Sequence, residues 1–502
     1  MVQCQKNVKY SLNQSKGKSS QKDQPQKTLK TKRKKTNGKR FTNLDRINPN
    51  AAGIDIASTE HWVCVPPEHT EDNVRKFGTF TCDLRAISQW LKTHKVKTVA
   101  MESTGIYWIP LFQRLEQDGF EVLLVNARHV KNVPGRTKSD NMDCQWIQKL
   151  HTFGLLQGSF RPNDEVCKLR SFLRHRDNLI AMAARHTQHI QKALWQMNIL
   201  LSNVISDITG ATGLKIINAI LAGQRDPMLL AKLKNSRIKA SLKTIVKALE
   251  GDYRDEQLFI LQQSLDMYRY THQQMERCDQ QVRNLLDQWD KVTNSKINPL
   301  PPSTSCHVKP RDNEPSYDVR KFLYEILGVD LTQIHGLQAS SVQTILAEVG
   351  TDMAKWFSEK HFVSWLGLCP APDISGGKIL KNKTKKVQSR ASKAFRLAAR
   401  ACANSNSAIG AFYRRMRYRI GPSKAITATA HKLAVIFYIM LRDKVDFIEL
   451  GVDYYEKQHQ ERMKKNLERK AKSLGLKLIP IDENETPSDL QDQNKATCVS
   501  SS

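Results

Sequence analysis

Paired cysteines are missing from this 502-residue sequence: its ten cysteines stand singly, with no Cys-x-x-Cys spacing and no His/Cys cluster. That excludes a disulfide framework and a zinc site and fits a reducing, cytoplasmic setting. Also missing is any uninterrupted apolar run approaching the roughly 20 residues of a membrane span. The lysine-rich start is followed by no apolar segment. A soluble, unsecreted protein with no membrane partner is expected. Acidic residues are scarce, 49 against 79 Lys and Arg, for a formal charge of +30. Such an excess calls for a polyanionic partner, with nucleic acid the leading candidate.

The location of the imbalance matters more than its sum. Residues 1 to 41 hold 13 Lys/Arg and one acid, Asp23, which accounts for +12 and leaves +18 for the rest. From Ile374 to Arg442 there is no Asp or Glu at all, yet 16 Lys/Arg occur there. This is the pattern of a basic domain surface, and DNA is the expected partner.

Residues 1–48 have almost no aliphatics and cannot bury enough surface to offset ordering entropy, so a disordered basic arm is expected. From Ala51 the texture changes. AGIDIAS, HWVCVPP and KFGTFTC predict three antiparallel strands. LRAISQWLKTH predicts a helix, KTVAMES a strand, YWIPLFQRLEQ a helix, FEVLLVNA a strand, and a helical stretch follows from about Asn141. The order βββαβαβα predicts an α/β, RNase-H-like domain over residues 49–158. Helical spacing of apolar residues predicts a helical or coiled-coil region over 159–297, of a kind that often mediates self-association. Residues 298–316 are a proline-rich linker, 317–445 a mostly α-helical basic domain, and 446–502 a charged tail that starts as helix.

Asp55 lies centrally in the first predicted strand, so its side chain points away from the face of Ile54 and Ile56. Glu102 ends the fourth, where an RNase-H-like sheet sets it beside the first. Asp140 and Asp143 are three residues apart, on one face if the segment is helical. Each alone has an ordinary reading as a turn partner, a helix neighbour or a solvated first turn. Together, four converging carboxylates repel one another unless divalent cations neutralise them, and Mg²⁺ or Mn²⁺ is the natural choice. A pair of such ions can activate an attacking oxygen and stabilise a leaving oxygen in phosphoryl transfer.

Ser375 stands in CPAPDISGGKILKNKTKK, read as a proline-broken loop: a serine, two glycines that let backbone approach a phosphate, then a lysine run. The ordinary reading is a flexible Ser-Gly turn. The functional one makes Ser375 a nucleophile, with Gly376, Gly377, Lys378, Lys381, Lys383, Lys385, Lys386 and Arg390 contacting nucleic acid. Farther upstream, IHGLQASSVQTILAEVG sets a glycine turn before a helix, in the manner of a helix-hairpin-helix.

GIDIASTEHWVCVP, AMESTGIYWIPL, the KSDNMD pair, WLGLCPAPDISGGK and FYRRMRYRIGPSKAITATAHKLA together resemble the insertion sequence 110 family of transposases, the DEDD transposases related to the Piv invertase. The likeness spans most of residues 50 to 445. It implies a RuvC-type domain of RNase-H-like fold whose metal-binding acids are Asp55, Glu102, Asp140 and Asp143. It also implies a C-terminal transposase domain whose nucleophile is Ser375. It further implies a structured bridge RNA as guide, and a homo-oligomer, dimer to tetramer, with active sites shared between subunits. Gly336-Leu337-Gln338 departs from the family's Gly-x-Gly.

Three rival readings stand beside this one. A Holliday-junction-resolvase-like nuclease would need the four acids with water as nucleophile, and not Ser375. A non-catalytic relic that only binds nucleic acid would need neither, and the presence of all five residues argues against it. A sugar kinase or actin-like ATPase shares GIDIAS, but no second DxGG phosphate loop follows at a suitable distance.

Overall fold

In a computed structural model, residues 45–126, 140–303, 313–449 and 451–478 are described, with the side chains of Asp140 and Asn141 outside that set. The chain divides between Arg161 and Pro162 into two compact units.

The first unit is a five-stranded mixed sheet in the order β3-β2-β1-β4-β5. β1 (Ala51–Ile56), β2 (His61–Cys64) and β3 (Val74–Phe77) form an antiparallel meander. β4 (Thr98–Glu102) and β5 (Glu121–Val125) add parallel to β1. Parallel pairing requires crossovers, which α1 (Thr81–Thr93) and α2 (Trp108–Gln117) supply. α1 buries Leu84, Ile87, Ser88 and Leu91, spaced as one helical face. Before its first turn, Phe80 N donates to Asp83 Oδ2 at 3.0 Å.

Strand alternation sorts β1 onto two faces. Ala52, Ile54 and Ile56 join Val99 and Met101 of β4, Ile87 and Leu91 of α1, and Leu111, Phe112 and Leu115 of α2 in the main core. On the other face α3 (Asp140–Thr152) packs its Ile147 with Ala100 and Val125. With helices on both faces, β4 is buried over its whole length, which explains why its sequence is apolar without alternation.

The second unit starts with two 33-residue helices, α4 (Asp164–Gln196) and α8 (Asp255–Asp287), each about 50 Å long at the usual helical rise. They pack together, and Arg176 and Asp279 form a buried ion pair between them at 2.5 Å. The chain between them forms α5 (Ala211–Leu221), α6 (Pro227–Lys232) and α7 (Leu242–Leu249), with a separate apolar core. Residues 313–478 then give α9 (Val319–Leu327), α10 (Ala339–Val349), α11 (Glu359–Trp365), a two-stranded hairpin, α12 (Arg390–Ala401), α13 (Ala408–Ile420), α14 (Pro422–Asp443) and α15 (Gly451–Ser473). α14 is long and apolar enough to cross a membrane. It is instead a core helix: Leu433, Phe437, Tyr438 and Leu441 are buried, and Tyr438 Oη donates to the Trp356 carbonyl at 2.8 Å.

Candidate active site

Two of the expected acids, Asp55 and Glu102, lie at the C-terminal edge of the parallel strands. The last β1–β4 pair is Ile54 with Met101, so Asp55 and Glu102 are the next residues on adjacent strands. Neighbouring strands lie about 4.8 Å apart, and both side chains fall on the α3 face. Glu102, only 9 % exposed, accepts a hydrogen bond from Thr104 Oγ1 at 3.2 Å and pairs with no Lys or Arg among the described residues.

α3 runs antiparallel to β1. Gln148 Nε2 donates to the Ala51 carbonyl at 3.2 Å, and a Cβ on Gly53 would lie 2.2 Å from the Gln148 nitrogen and 2.4 Å from the Cys144 carbonyl oxygen. Only glycine permits this approach, and it draws the start of α3 toward Asp55. The buried Cys144 thiol is pushed up by Cys64, by burial and by the Asp55 charge, which puts Asp55 within electrostatic reach of Cys144. One turn before Cys144 on the helix is Asp140, and one turn before Ile147, which packs on Ala100, is Asp143. Asp140 thus stands at the end of the helix nearest Asp55, and Asp143, half-exposed, one turn before the residue that packs on β4. The side chain of Asp140 lies outside the described residues. Among the described residues no three His, Cys, Asp or Glu side chains gather closely enough to hold a metal ion. The carboxylate oxygens of Asp55 and Glu102, on adjacent strand ends, are the donor type that a hard divalent cation takes.

Farther along α3, His151 Nε2 and Thr98 Oγ1 are 2.9 Å apart, and burial lowers the imidazole to about 4. The ring is neutral at neutral pH and anchors the far end of the helix on β4.

Ser375 belongs to the second unit. The segment expected to be a proline-broken loop is a hairpin, because paired glycines can close it. β6 (Pro370–Ser375) and β7 (Lys378–Thr384) pair antiparallel, with Ser375 opposite Lys378. Gly376 and Gly377 have φ of 55° and 75°, the left-handed pair a two-residue turn between twisted strands demands. The register slips between Asp373 and Ile374, a bulge that twists the tip. Ser375, Gly376, Gly377, Lys378, Lys381 and Lys383 are all exposed, as are Lys385 and Lys386 just beyond. Arg390, the first residue of α12, forms an ion pair with Asp177 of α4.

The expected helix-hairpin-helix glycine has a packing reason. Gly336 has φ of 88°, and a Cβ there would lie 2.5 Å from the Ala398 carbonyl oxygen on α12. Sequence reasoning does not single out Gly53, although a glycine inside an apolar strand is a signal of close backbone approach.

No curated protein matches the chain. Two family models do. Residues 52–199, which carry Asp55, Glu102, Asp140 and Asp143, match the DEDD transposase model of the IS110 type, described as a transposase. Residues 330–414, which carry Ser375 and its hairpin, match the model described as transposase, IS116/IS110/IS902 family. The first match also accounts for the order of the mixed sheet as an RNase-H-like fold. With both models in sequence on one chain, the protein belongs to the IS110 family of transposases, the DNA-recombining enzymes of insertion sequences.

Proposed function

We propose that this transposase cuts and rejoins DNA through a serine-linked intermediate, with Asp55, Glu102, Asp140 and Asp143 as its metal-binding acids on a RuvC-type version of the fold. Those four residues would hold Mg²⁺ or Mn²⁺, which supplies charge neutralisation at the scissile phosphate when bound. The observation that carries the reading is the placement of Asp55 and Glu102 side by side at the strand ends under the start of α3, together with Ser375 at an exposed, glycine-closed hairpin tip.

Ser375 Oγ attacks the DNA phosphorus. A Ser Oγ–P bond forms, the P–O bond to one deoxyribose breaks, the serine proton passes to solvent or base, and the departing sugar oxygen is protonated. A deoxyribose hydroxyl of another strand then attacks the phosphoserine, restoring the serine and a phosphodiester. Because the link conserves the bond, exchange needs no nucleotide cofactor. Gly376 and Gly377 present no side chain to obstruct the phosphate, and Lys378, across the turn from Ser375, offsets its charge. Lys381, Lys383, Lys385 and Lys386 extend this contact along the strand.

A structured noncoding RNA would serve as guide, base pairing choosing the site while the protein reads backbone and shape. The absence of acids from Ile374 to Arg442 supports a surface that carries several phosphates. Self-association, dimer to tetramer, would use the long α4/α8 pair, which exposes Trp195, Phe259, Met267 and Tyr270.

The test is a denaturing gel of element-end DNA incubated with the protein, the element's noncoding RNA and Mg²⁺. A covalent protein–DNA adduct is expected with wild type and absent with Ser375→Ala and Asp55→Ala. Cleavage that survives Ser375→Ala without any adduct would replace this reading by the resolvase-like one, with water as nucleophile.

A further inference from the structure

Outside the hairpin's own residues, α13, α14 and α15 carry a group of cations that no catalytic role uses. Phe412 of α13 and Tyr455 of α15 meet edge to face, ring centroids 6.4 Å apart. Each ring carries a cation: Lys432 Nζ of α14 lies 4.5 Å from the centre of Phe412, and the Arg415 guanidinium 4.9 Å from that of Tyr455. Tyr455, His459 and Arg462 fall on one stripe of α15 at helical spacing, the first buried and the others half-buried. Arg462 Nη2 donates to Gln458 Oε1 at 2.9 Å. Arg415 and Arg419 are likewise one turn apart on α13.

The charges in this group are of one sign. Burial and then the Arg462 charge bring Lys432 down to about 8. Burial, Arg415 and Arg462 lower His459. Burial raises the Tyr455 hydroxyl, while Arg415, Arg462 and Arg419 pull it back. Among the described residues Lys432, Arg415 and Arg419 form no ion pair with a carboxylate. The nearby acids are otherwise placed. Asp453, Glu456 and Glu461 of α15 face solvent. Glu449 accepts from the Ala408 and Gly451 nitrogens and meets His335, and Asp443 holds Arg442. Lys432 is the desolvated member of the group, and a desolvated cation beside others of its sign opposes folding unless an anion joins it.

We propose that Lys432, Arg415, Arg419 and His459 form a second nucleic-acid site, which grips a backbone phosphate of duplex DNA with residues other than those of the Ser375 hairpin. Most of it lies beyond residue 414, where the second family match ends. Exposed Arg414, Arg417 and Lys424 continue the positive surface on the same helices, and Tyr418, 96 % exposed between Arg417 and Arg419, offers a ring to a sugar or base. A diester on a long polyanion meets this whole surface, whereas a free phosphate meets only the pocket.

The experiment measures duplex DNA affinity of the full chain over a salt series without divalent metal, beside thermal melting, for wild type, Lys432→Met, Arg415→Gln and Lys432→Arg. Lys432→Met and Arg415→Gln are expected to weaken binding about tenfold. They should reduce the slope of log K against log salt by about one. Lys432→Met should melt no lower than wild type, since it removes a desolvated charge, and Lys432→Arg should keep the wild-type slope. An unchanged slope with a lower melting temperature would make Lys432 a packing residue and overturn the proposal. So would weaker binding to RNA of the same length with DNA binding intact. Stabilisation of wild type by inorganic phosphate with no change in the DNA slopes would assign the pocket to a free anion and also overturn it. Because no metal or strand cleavage enters the measurement, failure here leaves the role of Ser375 untouched.

Discussion

A methyl group on Gly53 would have to share space with the backbone of α3, whose Gln148 nitrogen and Cys144 carbonyl would be 2.2 and 2.4 Å from it. Neither backbone atom can rotate away as a side-chain tip can, so the helix itself would have to lift. Gly53→Ala is expected to cost about 1–3 kcal/mol, the usual range for overpacking, seen as a lower melting temperature. It should also reduce strand cleavage even where the protein stays folded, because lifting α3 moves Asp140 and Asp143 away from Asp55 and Glu102. Full activity with a lowered melting temperature would mean that the site does not depend on this contact. At residue scale the placement of Asp55 and Glu102 was legible where sequence position implies an unusual environment. A charged Asp55 between Ile54 and Ile56, and Glu102 closing an apolar run, are anomalous in strands that bury both neighbours. The cations around Lys432 were not legible. Lys432, Arg415 and His459 come from three helices, and only packing brings those helices together.

At the scale of elements, the same contrast separates the sheet from the hairpin. The βββαβαβ order was readable from Ala51 to Val125 because most of the strands are apolar runs and each intervening helix carries a 3.6-residue stripe; β3, Val-Arg-Lys-Phe, is the exception and lies ahead of the KFGTFTC segment expected to form it. The segment around Ser375 gave no such signal. Pro370 and Pro372 are poor strand residues, β7 is rich in lysine, and neither strand buries a face, so no alternation marks them. What closes the hairpin is the paired positive φ of Gly376 and Gly377, a local requirement that a β-branched residue meets only with strain. Gly377→Val is therefore expected to abolish adduct formation, since Ser375 and Lys378 would no longer face each other across the turn. Melting should shift by no more than about 1 °C, because the exposed hairpin contributes little to the core. A variant that keeps wild-type adduct yield would show that the turn geometry does not position the serine.

Across the whole molecule, charge separates binding from chemistry. The net charge of +30, with a 69-residue span that holds no acid, favours DNA whether or not a metal is present. The carboxylates expected to act are confined to the other unit, at the strand ends of the RNase-H-like sheet. There a negative scissile phosphate would be repelled by Asp55 and Glu102 in the absence of a cation. Chelation should therefore act on the reaction and leave association almost intact. With EDTA present, strand cleavage is expected to fall by at least about 100-fold, while duplex DNA binding, measured at fixed ionic strength, changes by less than about threefold. Added Mg²⁺ or Mn²⁺ should restore cleavage to wild type but not to Asp55→Asn or Glu102→Gln, both of which should still bind DNA. Cleavage that persists at the wild-type rate in EDTA would remove the metal from the mechanism. Parallel loss of binding in the two acid variants would make Asp55 and Glu102 part of the fold's support instead of its chemistry.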